Sequence, residues 1–329
     1  MASVLLTGAS GFIAAHVLKI LIDRGYTVKA TVRSQAKADY IKNQYPDAKL
    51  SFSIVPDIAA SGAFDEAVKG VDYIVHTASP FHFKVTDPVK DMLDPAVKGT
   101  RSVLEAAKAY APQVKRIVIT SSFAAIVNIT KGDWPGHVYT EEDWNEVTWE
   151  EAAGKDASTT YRGSKTFAEK AAWDFVRDEK PNFEVTTINP PLVWGPMLHD
   201  VSPETINTSN AMVYGMINGS VKTTSTMHAG WVDVRNVAEA HVKAFETPEA
   251  AGQRYFLIGG KFYYPDVVKI IQKNFPELAD KLPTISDEPL PPFWDFSNEK
   301  SRKQLGIEYL TLEQSIVDLT KQLISWVPK

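Results

Sequence analysis

The sequence predicts an α/β fold: a doubly wound parallel sheet carrying a smaller, discontinuous lobe. Three observations support this. Short β-branched runs alternate with helix-length amphipathic stretches through the first 190 residues, a rhythm that pairs strands in parallel and places helices on both sheet faces. The first run leads into Thr7-Gly8-Ala9-Ser10-Gly11-Phe12-Ile13-Ala14, which puts glycine where a strand turns into a helix. After Asn189 the alternation gives way to proline-rich and polar sequence.

In chain order the strand candidates are "SVLLT", "TVKATV", "LSFSIV", "VDYIVH", "RIVIT" and "FEVTTIN". Between them, Gly11 to Arg24 and Asp87 to Tyr110 carry apolar residues at helical spacing. "NPPLVWGP" is too rich in proline to continue a sheet core, and Leu198 to Ser225 is polar and mixed. Val234 to Glu246 reads as a helix and "RYFLIG" as a strand returning to the main sheet. A short helix, the loop "DEPLPPFWDF" and a terminal helix near Leu312 to Trp326 follow. The expected division is a core of residues 1–190 and 231–258 and a lobe of 191–230 and 259–329. That lobe should lie over the carboxyl edge of the sheet, where open α/β sheets bind ligands.

Composition narrows the function classes. The 329 residues are 44% hydrophobic and 23% charged, which is ordinary for a globular protein. A net charge of -5 leaves no basic footprint for a nucleic-acid partner. There are no cysteines, which excludes disulfides, thiolate metal sites and cysteine nucleophiles. None of the seven histidines pairs with another at metal-ligand spacing, so no metal is expected. The chain opens without a charged, apolar leader and holds no run of membrane-spanning length, so the expectation is a cytoplasmic protein without a membrane partner, monomeric or homodimeric. Three Asn-x-Ser/Thr triplets, at Asn128, Asn207 and Asn218, read as chance polar loops in that setting.

The glycine turn explains itself as an anion site. Gly8 allows the tight turn, Gly11 lets the backbone approach a pyrophosphate, and Ala14 lets the following helix pack close to the strand. The free N–H groups and positive end of that helix then face the phosphates. The second strand should end in an acid if the ligand were NAD, yet Arg33-Ser34-Gln35-Ala36-Lys37 follows. A guanidinium matches a 2′-phosphate bidentately and Lys37 adds a second positive charge, so NADPH is the expected cofactor. Asp57 and Ile58, in "VPDI", are placed to meet the adenine, although an Asp after a strand also serves to cap the next turn.

Tyr-x-x-x-Lys occurs twice. In Tyr45 to Lys49 a proline directly follows the tyrosine and disfavours helix, so the two side chains part. Tyr161 and Lys165 open the continuous amphipathic run "YRGSKTFAEKAAWDFV" and share one helical face. An ammonium near a phenol is expected to lower the phenol's pKa and suit it to proton transfer. The fifth strand, "RIVITSS", delivers Ser121 and Ser122 to the same edge, where a hydroxyl can stabilise developing oxyanion charge. Neither serine sits in a Gly-x-Ser-x-Gly nucleophile turn.

The glycine turn, "TSSFAA", "YRGSK" and "NPPLVWGP" together resemble the extended short-chain dehydrogenase/reductases, which have a Rossmann core. More narrowly, "GASGFIAAH", "TVRSQAKA", "VPDI", "HTASPFHF", "GSKTFAEKAAWDF" and "GWVDVRNVAEAH" resemble the fungal NADPH-dependent methylglyoxal/3-methylbutanal reductases, relatives of the plant dihydroflavonol reductases. The likeness runs from Ser3 to about Gly260 and thins beyond. It implies Ser122 rather than Ser121 as the carbonyl-binding hydroxyl, Tyr161 as proton donor, and Lys165 on the ribose hydroxyls and the tyrosine. It also implies nicotinamide contact from Val193 and a contact from Ser209. Leu192 and Trp194 depart from the tyrosine and phenylalanine of the family pattern, which bears on substrate range.

The expected cofactor-binding set is Gly8, Ser10, Gly11, Phe12, Ile13, Arg33, Lys37, Asp57, Ile58, Thr77, Ala78, Ser79, Tyr161, Lys165, Pro190, Val193 and Ser209. Phe81 or Phe83, Phe123, Trp194 and Met216 are expected to line a substrate pocket. The resulting expectation is an NADPH-dependent reductase acting on an aldehyde or ketone. The alternatives are a nucleotide-sugar epimerase or dehydratase on the same fold, against which Arg33 and the aromatic pocket weigh, and a non-catalytic NADP-binding redox sensor.

Overall fold

A computed structural model describes residues 2–79, 86–154 and 156–327. The six strands read from the sequence form β1 (Ser3–Thr7), β2 (Thr27–Val32), β3 (Leu50–Ile54), β4 (Tyr73–His76), β5 (Arg116–Thr120) and, after the two-residue β6 (Val138–Tyr139), β7 (Glu184–Asn189). With β10 (Arg254–Phe256) they make a seven-stranded sheet in the order β10-β7-β5-β4-β1-β2-β3. Every neighbouring pair in it is parallel. The strand order reverses between β1 and β4, which creates the crevice a doubly wound sheet offers to a ligand.

Side-chain alternation along the strands supplies both layers of core. Val4 and Leu6 face α1 (Phe12–Asp23) and α7 (Val234–Glu246), packed with Val17, Leu21, Val237 and Ala240. Leu5, between them, points the other way and joins Val103 and Leu104 of α3 (Asp94–Tyr110) and Phe175 of α5 (Ala157–Glu179). The helix expected from Asp87 begins as a π-type turn, Val89–Leu93, before α3. Between β2 and β3 lies α2 (Gln35–Gln44), and the four-residue α4 (Trp149–Ala152) precedes α5.

The sequence reading needs correction after Asn189. Leu192–Trp194, expected to lie outside any sheet, is a strand, β8. Pro190 and Pro191 precede it rather than interrupt it, so no ladder donor is lost within the strand. β8 runs parallel to β9 (His228–Asp233), which pairs antiparallel with β11 (Gly260–Tyr263), making a second sheet of three strands. The lobe change expected at residue 231 therefore falls inside β9. Against this sheet pack α6 (Thr208–Ile217), α8 (Tyr264–Asn274) and α10 (Leu312–Leu323), burying Val213, Val267, Ile271, Leu319 and Leu323. β12 (Asp295–Phe296) pairs with β6, and α9 (Glu299–Leu305) completes the chain order.

Candidate active site

Gly8 follows β1 at φ +67°, and a Cβ there would stand 3.0 Å from the Ala78 backbone beyond β4. Both the left-handed backbone and the close approach of two strand ends therefore require glycine. A Cβ on Gly11 would meet nothing within 4 Å except the Gly8 carbonyl, so that position opens toward the cleft. Gly11 is the N-cap of α1, with no side-chain cap and no acid in the first turn. Donors at the helix start are thus left for an anion, the arrangement that fits a dinucleotide diphosphate.

One cleft runs past this turn. Its outer half, about 380 Å³, is walled by Ser10, Thr31, Arg33, Ser34, Lys37, Val55 and Ile58. Its inner half, about 300 Å³, is walled by Phe12, Ile13, Ser121, Ser122, Tyr161, Lys165, Pro190, Val193 and Ser209. Gly8, Gly11, Thr77 and Ser79 line both halves, and Ala78 the outer one. A cationic end and a polar end thus sit on either side of the start of α1. Lys37 Nζ meets Asp200 Oδ2 at 2.9 Å. Asp57 accepts the Ala59 backbone N–H at 2.9 Å, its capping use, and Ile58 is the residue of that pair in the cleft wall.

At the inner end the three predicted catalytic groups converge. The N-cap Asp156 accepts the Thr159 N–H at 2.8 Å and starts α5 just before Tyr161. The Tyr161 and Ser122 side chains line the same inner half of the cleft, and the Ser122 hydroxyl acts on the phenol by favouring its charged form. Lys165 Nζ donates to Ser79 Oγ at 2.7 Å and lies 5.9 Å from the Tyr161 ring centre. The two serines differ in their partners. Ser121 donates its hydroxyl to buried Glu169, whereas Ser122 acts on the phenol.

The electrostatics differ from the sequence expectation. Burial pushes the Tyr161 phenol up, only partly offset by the Ser122 hydroxyl and by the charge of Arg162. Burial likewise pushes Lys165 down to about 8. The direction is opposite to the lowering expected from the ammonium, and desolvation is the largest influence on the phenol. Tyr161 is therefore a protonated acid at neutral pH. Near it, buried His76 is pushed down to about 3 by desolvation and by the Lys165 charge, so it is neutral. Its Nδ1 lies 2.9 Å from Thr7 Oγ1, which also accepts the Ala78 N–H at 3.1 Å and so ties the ends of β1 and β4 together.

The pocket aromatics need further correction. Trp194 is fully buried in the core of the second sheet and donates its indole N–H to the Ser209 carbonyl at 2.7 Å. Met216 shares that core. Phe123 stacks on Phe256 at 4.7 Å within a cluster that includes Tyr139 and Trp294. Among the described residues that wall the cleft none of the three appears: Trp194 and Met216 are buried in one apolar cluster and Phe123 in another. Phe81 and Phe83 lie outside the described residues. Tyr45 and Lys49 border a groove with Tyr26 and Pro46 whose wall shares no residue with the cleft. Among the described residues no three His, Asp or Glu side chains gather as metal ligands, and no helix is long and apolar enough to cross a membrane.

Sequence reasoning missed Glu169. Its signal was available: Tyr161, Lys165 and Glu169 follow one another at four-residue steps on α5, and an acid on that inward face needs partners.

Fold and cleft together define an extended short-chain dehydrogenase/reductase, a Rossmann domain with serine, tyrosine and lysine at its carboxyl edge. The sequence profile of the 3-beta hydroxysteroid dehydrogenase/isomerase family matches residues 5–277, and the chain belongs to that family. It is 46% identical to the ketoreductase azaE of Aspergillus niger, over 98% of this chain and 97% of that protein. The crystal structure of yeast methylglyoxal/isovaleraldehyde reductase Gre2 complexed with NADPH superimposes with a TM-score of 0.92 at 36% identity, covering 98% of both chains. That of Gre2 from Candida albicans in complex with NADPH gives 0.92 at 39% identity over 99% of both.

Proposed function

We propose that this protein is an NADPH-dependent reductase that converts the carbonyl of a small aldehyde or ketone into an alcohol, with Tyr161 as proton donor. The observation that carries this reading is the meeting of Ser122, Tyr161 and Lys165 on the floor of a cleft whose other end holds Arg33 and Lys37. Bound NADPH supplies the hydride. Arg33 and Lys37 would hold the 2′-phosphate, the start of α1 the diphosphate, and Lys165 the ribose hydroxyls, with Pro190, Val193 and Ser209 around the nicotinamide.

The Ser122 hydroxyl hydrogen-bonds the substrate oxygen and steadies the negative charge that grows there. Tyr161, kept protonated by its buried setting, gives that oxygen its proton. Methylglyoxal, 3-methylbutanal (isovaleraldehyde), diketones and prochiral ketones are the proposed substrates; support comes from one relative named a ketoreductase and another named a methylglyoxal/isovaleraldehyde reductase. The cytoplasm is the proposed compartment, and one or two chains the proposed assembly.

Tyr161→Phe tests the reading. Turnover of NADPH with methylglyoxal should fall by about 10³-fold, the scale of a lost general acid, while NADPH binding measured by fluorescence titration stays within a few-fold. Substantial residual turnover would remove Tyr161 as the acid.

A further inference from the structure

Among the described residues Glu141, Glu169 and Asp233 are buried carboxylates that the proposed chemistry leaves unused, and at Glu169 five side chains aim donors. Ser121 donates its hydroxyl and Asn189 its Nδ2 (2.6 Å) to Oε2. Thr187 Oγ1 (3.1 Å), Trp173 Nε1 (3.2 Å) and Arg254 Nε (2.6 Å) donate to Oε1. The carboxylate is fully buried and the Arg254 side chain is 11% exposed. Burying such a pair is costly unless the lone pairs are filled, and here they are. The partners are not a random sample of the fold. Ser121 immediately precedes Ser122, and Asn189 precedes the Pro190–Pro191 wall of the cleft. The Asn189 amide also donates to the Ser122 carbonyl at 3.2 Å. Arg254 fastens the far side, donating to the carbonyls of Glu141 (2.5 Å) and Asp143 (2.9 Å) and lying 3.6 Å over the Trp144 ring.

We propose that Glu169 is a positioning residue for the reduction: its buried carboxylate clamps the Ser121–Ser122 strand tip, through Ser121 and Asn189, to the helix that carries Tyr161 and Lys165. The strand tip and α5 belong to different elements, and each could slide by a fraction of an ångström without loss of the core. A displacement of that size at a reacting oxygen is expensive, about 10²-fold in rate for roughly 1 Å. The clamp joins the two elements through a group that cannot shift without stranding a charge. The same bond explains why Ser121 cannot serve as the carbonyl-binding hydroxyl, since its proton is committed to Glu169.

This inference rests on the assignment of Ser122 and Tyr161, and two variants test it separately from that assignment. Ser121→Ala cuts the hydroxyl link and leaves the charge pair intact. Glu169→Met/Arg254→Met removes both charges together, so no buried ion is stranded. For each, kcat and KM with methylglyoxal, the NADPH Kd and the Tm are measured well below the melting temperature. The expected result is a kcat lower by about 10- to 100-fold per folded molecule, with the NADPH Kd within about threefold. Wild-type kcat in Ser121→Ala, or in a folded double variant, would overturn the clamp, because a residue that only stabilises the fold changes Tm without changing turnover by folded molecules. If the double variant does not fold, Ser121→Ala decides alone. Tyr161→Phe is assayed in parallel: retained activity there would sink the assignment, whereas an inactive Tyr161→Phe beside fully active clamp variants would sink only the clamp.

Discussion

Lys37 and Lys165 line the two ends of one cleft, and their surroundings give the same side chain two different uses. Lys37 is 40% exposed and pairs with an equally solvated Asp200. In water an ammonium is a compact point charge, suited to meeting a phosphate. Lys165 is half-buried, bonded to a serine hydroxyl, and pushed down to about 8 by desolvation. Desolvation has turned it into a group whose charge can change within an accessible pH range. The outer end of the cleft offers exposed charge and backbone donors, and at the inner end desolvation sets the behaviour of Lys165.

The sharpest way to break that contrast is to delete each lysine. Lys165→Met should lower kcat by about 10²- to 10⁴-fold, whereas Lys37→Met should leave kcat near wild type and raise the KM for NADPH. A Lys37→Met variant with a collapsed kcat would abolish the distinction. The wild-type pH profile examines the same point. Lys165 is protonated below its folded pKa and loses its charge above it, so the reductive rate should fall as pH rises through about 8. A rate flat to pH 10 would show that the charge of Lys165 is not used.

Next in size, Arg33→Asp should weaken NADPH binding by roughly 10- to 100-fold, the scale of one or two charge-assisted hydrogen bonds. NADH binding should change little in that variant. Equal loss for both cofactors, measured by titration, would move the 2′-phosphate site elsewhere. The smallest effect is expected at the exposed pair. Asp200→Asn frees Lys37 from its acidic neighbour and should tighten NADPH by about two- to fivefold at low salt, fading as salt is added. A gain that persists at high salt would contradict the solvated character of the outer end.

These two ends also differ in how much of them was legible in the chain. The glycine turn and the Arg33–Lys37 pair depend on backbone and charge within a few residues, so spacing was enough to place both in the cleft. The Tyr161–Lys165 pair was readable for the same reason, because helical spacing puts them on one side of α5. Trp194, Met216 and Phe123 were misassigned because an aromatic or thioether side chain declares that it will be buried without declaring against what. Here they bury against Phe262, Ile217 and Phe256 instead of lining the cleft. β8 was misread because the prolines that argue against a strand stand just before it.

By itself the sequence determined the alternating strands and helices of the sheet, the glycine turn, the placing of Arg33 and Lys37 beside it, and the tyrosine–lysine pair, all of them consequences of local periodicity and short spacing. Tertiary structure alone decided which serine acts on the phenol, that burial rather than the neighbouring ammonium governs Tyr161, and that Glu169 ties the strand tip to α5. The physical reason is that hydrogen-bond partners and desolvation depend on groups far apart in the chain, such as Ser121, Glu169 and Arg254, whose meeting exists only once the sheet and its helices have packed.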